Sequence, residues 1–203
     1  MLWTLLPSQA QLLRDGEVIG DDTRFEWLWQ FIDAIISEMN SASARLATGE
    51  IDEEEWASLA TALWEDAFIA LYLLGRGGEE AMTDDDWDNL SGLLESQDEF
   101  FENFLMALFT EMSDAQLAHR LTLYADSSQQ AYWGAMTTAK KEAGYIEELW
   151  SLGFADHCNT CLTFADEPWM PIGYFPEPGD GHTECMMKCH CHKEYRKNPE
   201  KGE

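Results

Sequence analysis

The sequence predicts a mainly α-helical protein with a small, loop-rich C-terminal module that contains short strands and is held together by zinc. Two observations predict this arrangement. Apolar residues recur with the 3.6-residue period of a helix through the first 144 residues, and all five cysteines follow residue 157. We therefore divide the chain into an acidic α-helical body, residues 1–144, and a Cys-rich zinc-binding module with a basic C-terminal tail, residues 145–203.

The first two long helices of the body are bounded by recognisable start and stop signals. One is predicted over Thr23–Leu46, where the apolar period ends before Gly49. The next begins at Asp52 and Glu55, which have the spacing of a capping box. The glycines of the stretch 75–78 are predicted to stop it.

Two further helices are predicted before the composition changes. The third begins at Thr83, where three aspartates follow at the positive end of the helix, and its apolar stripe runs from Trp87 to Phe109. The fourth begins with a second capping box at Ser113 and continues as one helix toward Gly144.

After Gly144 the helical period is lost. Residues 145–152 are predicted to form a short strand, residues 162–177 carry three prolines and are predicted to be a loop, and residues 189–195 are predicted to form a final short strand. Such a segment cannot bury enough apolar surface to fold alone, so a metal cross-link is expected to supply the missing stability.

The acidic charge is concentrated in the body. Residues 1–150 carry 7 Lys/Arg against 30 Asp/Glu, whereas residues 151–203 carry 5 against 9. A negative field repels phosphates, so we expect no direct nucleic-acid binding by the body. The acidity predicts a solubilising surface; a face that repels packaged DNA, or one that attracts a basic partner, is the alternative interpretation.

No secretory or membrane-spanning segment is predicted. The first six residues lack a basic start and are interrupted by Pro7, around which a short helix to Leu13 is predicted. The longest apolar run, residues 67–74, is too short to span a bilayer. We therefore expect a reducing compartment, where clustered cysteines favour metal binding over disulfides.

The cysteine spacing predicts a tetrahedral zinc site. The pair 158 and 161 forms a C-x2-C knuckle, which brings two thiolates to one ion, and the later C-x3-C-x-C cluster offers three thiols for two remaining positions. The fourth ligand is open between Cys189 and Cys191, one thiol is expected to be spare, and His182 is a reserve ligand. The candidate ligands are Cys158, Cys161, Cys185, Cys189 and Cys191.

Other residues near the cysteines leave alternatives open. A catalytic zinc would need a vacant position and a nearby base, for which Asp156 and Glu184 are available, although their spacing singles out neither. No nucleophile elbow, phosphate-binding loop, HExxH or dinucleotide motif occurs, so no enzyme is predicted. Further candidate ligands among the thiols are His157, His182, His190 and His192.

Residues 113–196 resemble the tailed-phage minor head proteins, the Mu F-like or head-morphogenesis family. The resemblance is carried by the helix 113–132, by Trp150-Ser-Leu-Gly-Phe-Ala-Asp-His-Cys158-Asn-Thr-Cys161, and by the Cys-rich close from Pro178 to Arg196. Two departures are His182, where the family usually has a small residue, and the stretch 186–188, where a turn containing Gly or Asn is more familiar.

The resemblance implies a structural virion component, associated with the portal vertex or inner capsid and needed for head assembly, in a family that is not a single enzymatic class. We therefore expect a minor head protein that docks on capsid or portal subunits, carries structural Zn²⁺, and is found in the virion and, during assembly, in the host cytoplasm. A second copy of the chain is a further candidate partner, and no membrane partner is expected. The alternatives are a free-standing zinc-stabilised interaction or regulatory module and a zinc-dependent hydrolase.

Overall fold

The computed structural model describes residues 20–111 and 114–197, and the predicted fold class is confirmed. The predicted helix around Pro7, the capping residue Ser113 and residues 198–203 of the predicted basic tail lie outside the described residues. Two 3-10 turns occupy Glu79–Ala81 and Met186–Lys188. The helices are α1 (Asp21–Ala47), α2 (Glu53–Arg76), α3 (Asp84–Glu111), α4 (Asp114–Ser127), α5 (Gln129–Glu142) and α6 (Asn159–Ala165), and the strands are β1 (Glu147–Ser151), β2 (Met170–Pro171) and β3 (His192–Arg196).

Helix α2 forms the centre of the body, where it packs against α1 and α5. Its second half is apolar on nearly every side, as expected for a helix that neighbours surround. Within the described residues, α2 alone is long and apolar enough to cross a membrane by length and composition. However, 56% of that apolar stretch is buried inside the protein, and a core helix meets the same criterion.

The two ends of α2 show which of its predicted boundary signals operate. The capping box is confirmed, because Asp52 Oδ1 accepts a hydrogen bond from the Glu55 N–H at 2.9 Å. Gly77 ends the helix with φ +99°, a left-handed conformation that favours glycine. Gly75 was predicted to help stop the helix, and this is wrong: it lies inside α2, where a Cβ would meet the carbonyl oxygen of Tyr132 at 2.3 Å.

The single helix predicted from residue 113 toward Gly144 is broken at Ser128 into α4 and α5. The hydroxyl of Ser127 donates to Tyr124 O at 2.7 Å, and that of Ser128 donates to Ala125 O at 2.6 Å. Serine hydroxyls that bond to the preceding turn compete with the helical ladder and bend helices. The break turns α5 along α2, while α4 packs against α1.

Two residues at the start of α3 lie in surroundings that the sequence did not predict. Trp87 was placed in the apolar stripe, but 42% of its surface is exposed. Asp86, one of the three aspartates predicted at the positive end of this helix, is buried and lies 3.0 Å from Arg76 Nη2. The ion pair and the Tyr72 hydroxyl, which donates to Asp86 at 3.2 Å, allow this carboxylate to be buried.

The C-terminal module is built on a three-stranded antiparallel sheet with the order β2-β1-β3. The predicted strand over residues 145–152 is confirmed as β1, whereas the final strand begins at His192, three residues later than predicted. Residues after 154 were predicted to lack helices, and α6 corrects this. Its cause is local: Cys158 caps the helix, with its Sγ 3.5 Å from the Cys161 N–H.

A buried ionic network joins the sheet to the loop before the last cysteines. Lys193 Nζ lies 3.4 Å from Glu148 Oε2 and 3.0 Å from Glu177 Oε2, and it donates to Phe175 O at 3.1 Å. The side chains of Lys193 and Glu148 are fully buried. Thr137 of α5 donates to Glu177 at 3.2 Å, so this network also ties the module to the body.

Candidate metal centre

The cysteines of the knuckle and of the C-terminal cluster converge beside β1 and α6. Cys161 Sγ lies 3.6 Å from Cys185 Sγ and 3.7 Å from Cys189 Sγ. The thiols form two groups of three, with all Sγ atoms of a group within 4.8 Å of one another. Cys161 belongs to both groups, the first of which adds residues 158 and 185 and the second residues 189 and 191.

Backbone elements place each thiol. Cys158 and Cys161 lie at the cap and in the first turn of α6. Cys185 and Cys189 flank the 3-10 turn 186–188, and Cys191 directly precedes β3. Met186 in this turn has φ +54°. This left-handed conformation costs a residue that has a Cβ about 1–2 kcal/mol, a cost that glycine avoids.

Three residues that the sequence did not single out support these cysteines. A Cβ on Gly153 would lie 1.9 Å from His190 O, so only glycine permits this approach of two chain segments. The buried Gln129 of α5 donates to Met187 O at 2.7 Å and anchors the turn between two cysteines. The hydroxyl of Thr183 lies 3.1 Å from Cys185 Sγ. The roles of Gly153 and Gln129 depend on contacts between distant parts of the chain, so no local sequence signal could have indicated them.

Hydrogen bonding makes one thiol of each group acidic. The hydrogen bond with the Cys189 thiol contributes most to a Cys191 pKa of about 5, with the Gly153 N–H adding to it. Burial raises the pKa of Cys158, but hydrogen bonds from the backbone and thiol of Cys161 outweigh it and bring the pKa to about 7. The thiolate is the form that binds metal, so both groups contain a favoured ligand at neutral pH.

The other two buried thiols have raised pKa values. The hydrogen bond with Cys191 contributes most at Cys189, followed by burial, whereas burial is the largest cause at Cys161. Without a cation, these two sulfurs therefore favour the neutral form. A bound metal ion would deprotonate them, because coordination stabilises the thiolate directly.

Only one of the candidate histidines contacts a thiol within the described part of the chain. His157 Nδ1 lies 3.7 Å from Cys191 Sγ. His182, the predicted reserve ligand, is instead 76% exposed and lies 3.0 Å from the Asp180 carboxylate. The structure therefore brings five thiols and His157 together at the candidate metal centre, and His182 is not part of it.

The remaining candidates have other partners. His190 stacks on Trp29 at 4.3 Å between ring centroids, and His192 lies 5.1 Å from the Phe25 ring. These contacts attach the C-terminal module to α1. The Glu184 carboxylate accepts a hydrogen bond from the Asn159 N–H at 3.1 Å, at the start of α6. It therefore caps a helix.

The donor set and its spacing fit a thiophilic metal ion. Tetrahedral zinc with sulfur ligands at about 2.3 Å requires adjacent sulfurs about 3.8 Å apart, close to the 3.6 and 3.7 Å observed around Cys161. The buried Trp150 Nε1 has no hydrogen-bond partner of normal geometry, and a metal-bound thiolate beside it would be a suitable acceptor.

Comparison of the chain with protein-family models, curated proteins and solved structures found no match.

Proposed function

We propose that this protein is a structural minor head protein of a tailed phage or prophage, which docks on capsid or portal subunits through a zinc-stabilised C-terminal module. The observation that carries the proposal is the convergence of the C-x2-C and C-x3-C-x-C cysteines on one site. These are the same cysteines on which the resemblance of residues 113–196 to minor head proteins depends.

In this function, zinc acts as a structural cross-link. The module has a small apolar core, and three of its five fully buried apolar residues are cysteines. A zinc ion that joins Cys161 to Cys185 stabilises the folded module, because it binds the folded chain and its binding free energy adds to the free energy of folding. A loop held in one conformation also loses less entropy when it binds a partner.

Exposed apolar side chains beside the cysteines supply a docking surface. Phe154 is fully exposed in the loop between β1 and the knuckle, and Leu152 and Leu162 are 38% and 44% exposed. Exposed apolar groups near a rigid site are typical of protein interfaces. The acidic body is compatible with a position near packaged DNA without adhesion to it.

The two alternative functions differ in what they require. A zinc hydrolase needs an open coordination position and a free base, and the carboxylate of Glu184 is occupied by the Asn159 N–H. This contact disfavours Glu184 as the base of a hydrolase, and Asp156 is the other candidate that the sequence offers. A free-standing interaction module would use the same site, and only its binding partner separates it from a head protein.

Co-purification with portal and major capsid proteins from the same genome as this chain tests the proposal. We expect the tagged chain to retain at least one of them, and the Phe154→Ser variant to lose most of that binding. Trp87→Ser, which also removes an exposed aromatic residue but from the body, is the matched control and should bind normally. If the zinc-loaded protein binds neither subunit, the head function is wrong while the metal site stands.

A further inference from the structure

The five thiols do not surround a single point. A tetrahedral four-sulfur site needs four sulfurs that are all about 3.8 Å apart. Within the described residues, no four ligand atoms lie mutually within 4.8 Å; there are two groups of three that meet at Cys161. A single ion could therefore bind four of these sulfurs only if at least one thiol moved from its observed position.

We propose that the site holds two Zn²⁺ ions bridged by the Cys161 thiolate. One ion is bound by the group 158, 161 and 185, and the other by the group 161, 189 and 191. This inference rests on the proposed zinc-binding function of the same cysteines. It assigns a role to all five thiols, in place of the one spare thiol that the spacing predicts.

Burial distinguishes how the two ions complete their coordination. In the second group all three cysteines are buried, which favours a protein side chain over solvent as the fourth ligand. His157 Nδ1 is 3.7 Å from Cys191 Sγ, close to the about 3.6 Å between nitrogen and sulfur ligands on one tetrahedral zinc; because it does not lie within 4.8 Å of all three thiols, its side chain would have to move to complete the shell. In the first group Cys158 and Cys185 are partly exposed, so water can complete the shell.

Charge also favours two ions in this setting. Two zinc ions with five thiolates leave one negative charge, whereas one zinc ion with four thiolates leaves two. A buried site in a strongly acidic protein is better stabilised by the smaller uncompensated charge. A bridging thiolate also accounts for the place of Cys161, the one sulfur that lies near both other pairs.

Counting metal ions on the purified full chain tests the proposal. Native mass spectrometry and elemental analysis are expected to find two zinc ions per chain, and alkylation of the native protein should label no cysteine. One zinc per chain with one reactive thiol would overturn the bridged site and leave the proposed zinc module intact. No bound zinc would overturn both.

Variants and metal replacement test the bridge itself. Cys185→Ser and Cys191→Ser should each retain one ion, and His157→Ala should weaken binding of the second ion, whereas His182→Ala, the matched histidine control, should retain two. In the wild-type chain loaded with ¹¹³Cd, we expect two cadmium resonances with scalar coupling through the shared sulfur. Uncoupled resonances or a single resonance would overturn the bridge without requiring that any variant fold.

Discussion

At the scale of the single residue, Asp126 shows how the fold changes the chemistry of one acid in a strongly acidic chain. It lies on α4 and is only 7% exposed. Burial raises the pKa of its carboxyl to about 6, Lys188 lowers it and Asp33 raises it further. The folded state therefore favours the protonated acid, and the charged form at neutral pH destabilises the fold.

We expect Asp126→Asn to stabilise the protein increasingly as the pH rises from 3.8 to about 6, and by a nearly constant amount at higher pH. Because the folded pKa is raised above the unfolded value of 3.8, the stabilisation from protonated Asp126 is complete below that value and is lost as the pH rises through about 6. The variant keeps a neutral group, so its advantage should reach on the order of 2–3 kcal/mol at pH 8.

Urea unfolding of the wild type and of the Asp126→Asn variant, repeated across this pH range, measures the difference in stability. Any metal lost at low pH is lost from both proteins and therefore does not contribute to the difference. Asp98→Asn, which removes an exposed acid from α3, is the control and should stay within about 0.5 kcal/mol of the wild type throughout. An Asp126→Asn advantage that does not change with pH would contradict the burial of a charged carboxylate.

At the scale of the element, the contact between α2 and α5 depends on Gly75. A side chain there would meet the backbone oxygen of Tyr132 at 2.3 Å and the Cβ of Ala135 at 2.8 Å. Backbone atoms cannot move aside as a flexible side chain can, so the two helices would have to separate. The glycine therefore sets the distance between the central helix and its neighbour.

Gly75→Ala is expected to destabilise the protein by about 1–3 kcal/mol, although alanine favours a helix more than glycine does. Gly134→Ala provides the matched control, since Gly134 lies in α5 and an added Cβ would have no neighbour within 4 Å. It should stabilise the protein by about 0.5–1 kcal/mol. Thermal unfolding followed by circular dichroism compares the two, and equal effects would contradict the close contact.

The helices that the sequence predicted correctly are those with local signals. The capping box of Asp52 and Glu55 and the stop at Gly77 depend on neighbouring residues, so they can be recognised without the fold. The burial of Gly75 could not be predicted, because it depends on a helix nearly 60 residues away. The break at Ser128 and the short α6 were missed because an apolar period does not show where a serine or cysteine side chain bonds to the backbone.

At the scale of the whole molecule, a buried ionic network holds the module on the body. Lys193 on β3 is the cation shared by Glu148 on β1 and Glu177 in the loop. Burial raises the pKa of Glu177, and the charge of Lys193 opposes this. Removing the cation would leave Glu148 charged, buried and without its ion-pair partner in the network.

We expect Lys193→Met to destabilise the protein by about 3–5 kcal/mol, because it leaves a buried carboxylate without a cation. Adding Glu148→Gln should recover part of this loss, since the amide oxygen can still accept the Phe175 N–H. Chemical unfolding of the zinc-loaded proteins measures both effects.

Arg196→Met is the control for this prediction, because the Arg196–Glu147 pair is partly exposed and should contribute at most about 1 kcal/mol. Equal losses from Lys193→Met and Arg196→Met would show that the buried network adds no more than a surface pair.

The sequence by itself determined the helical body and the principal helix boundaries. It also determined the group of cysteines whose spacing predicts a metal site. These features follow from periodicity, capping and residue type, all of which act between residues close in the chain. Only the tertiary structure decided how the thiols are arranged, as two groups that share Cys161. Cys161 and Cys185 are separated by a 23-residue stretch, and their 3.6 Å distance depends on how α5, the sheet and the buried network fold that stretch back.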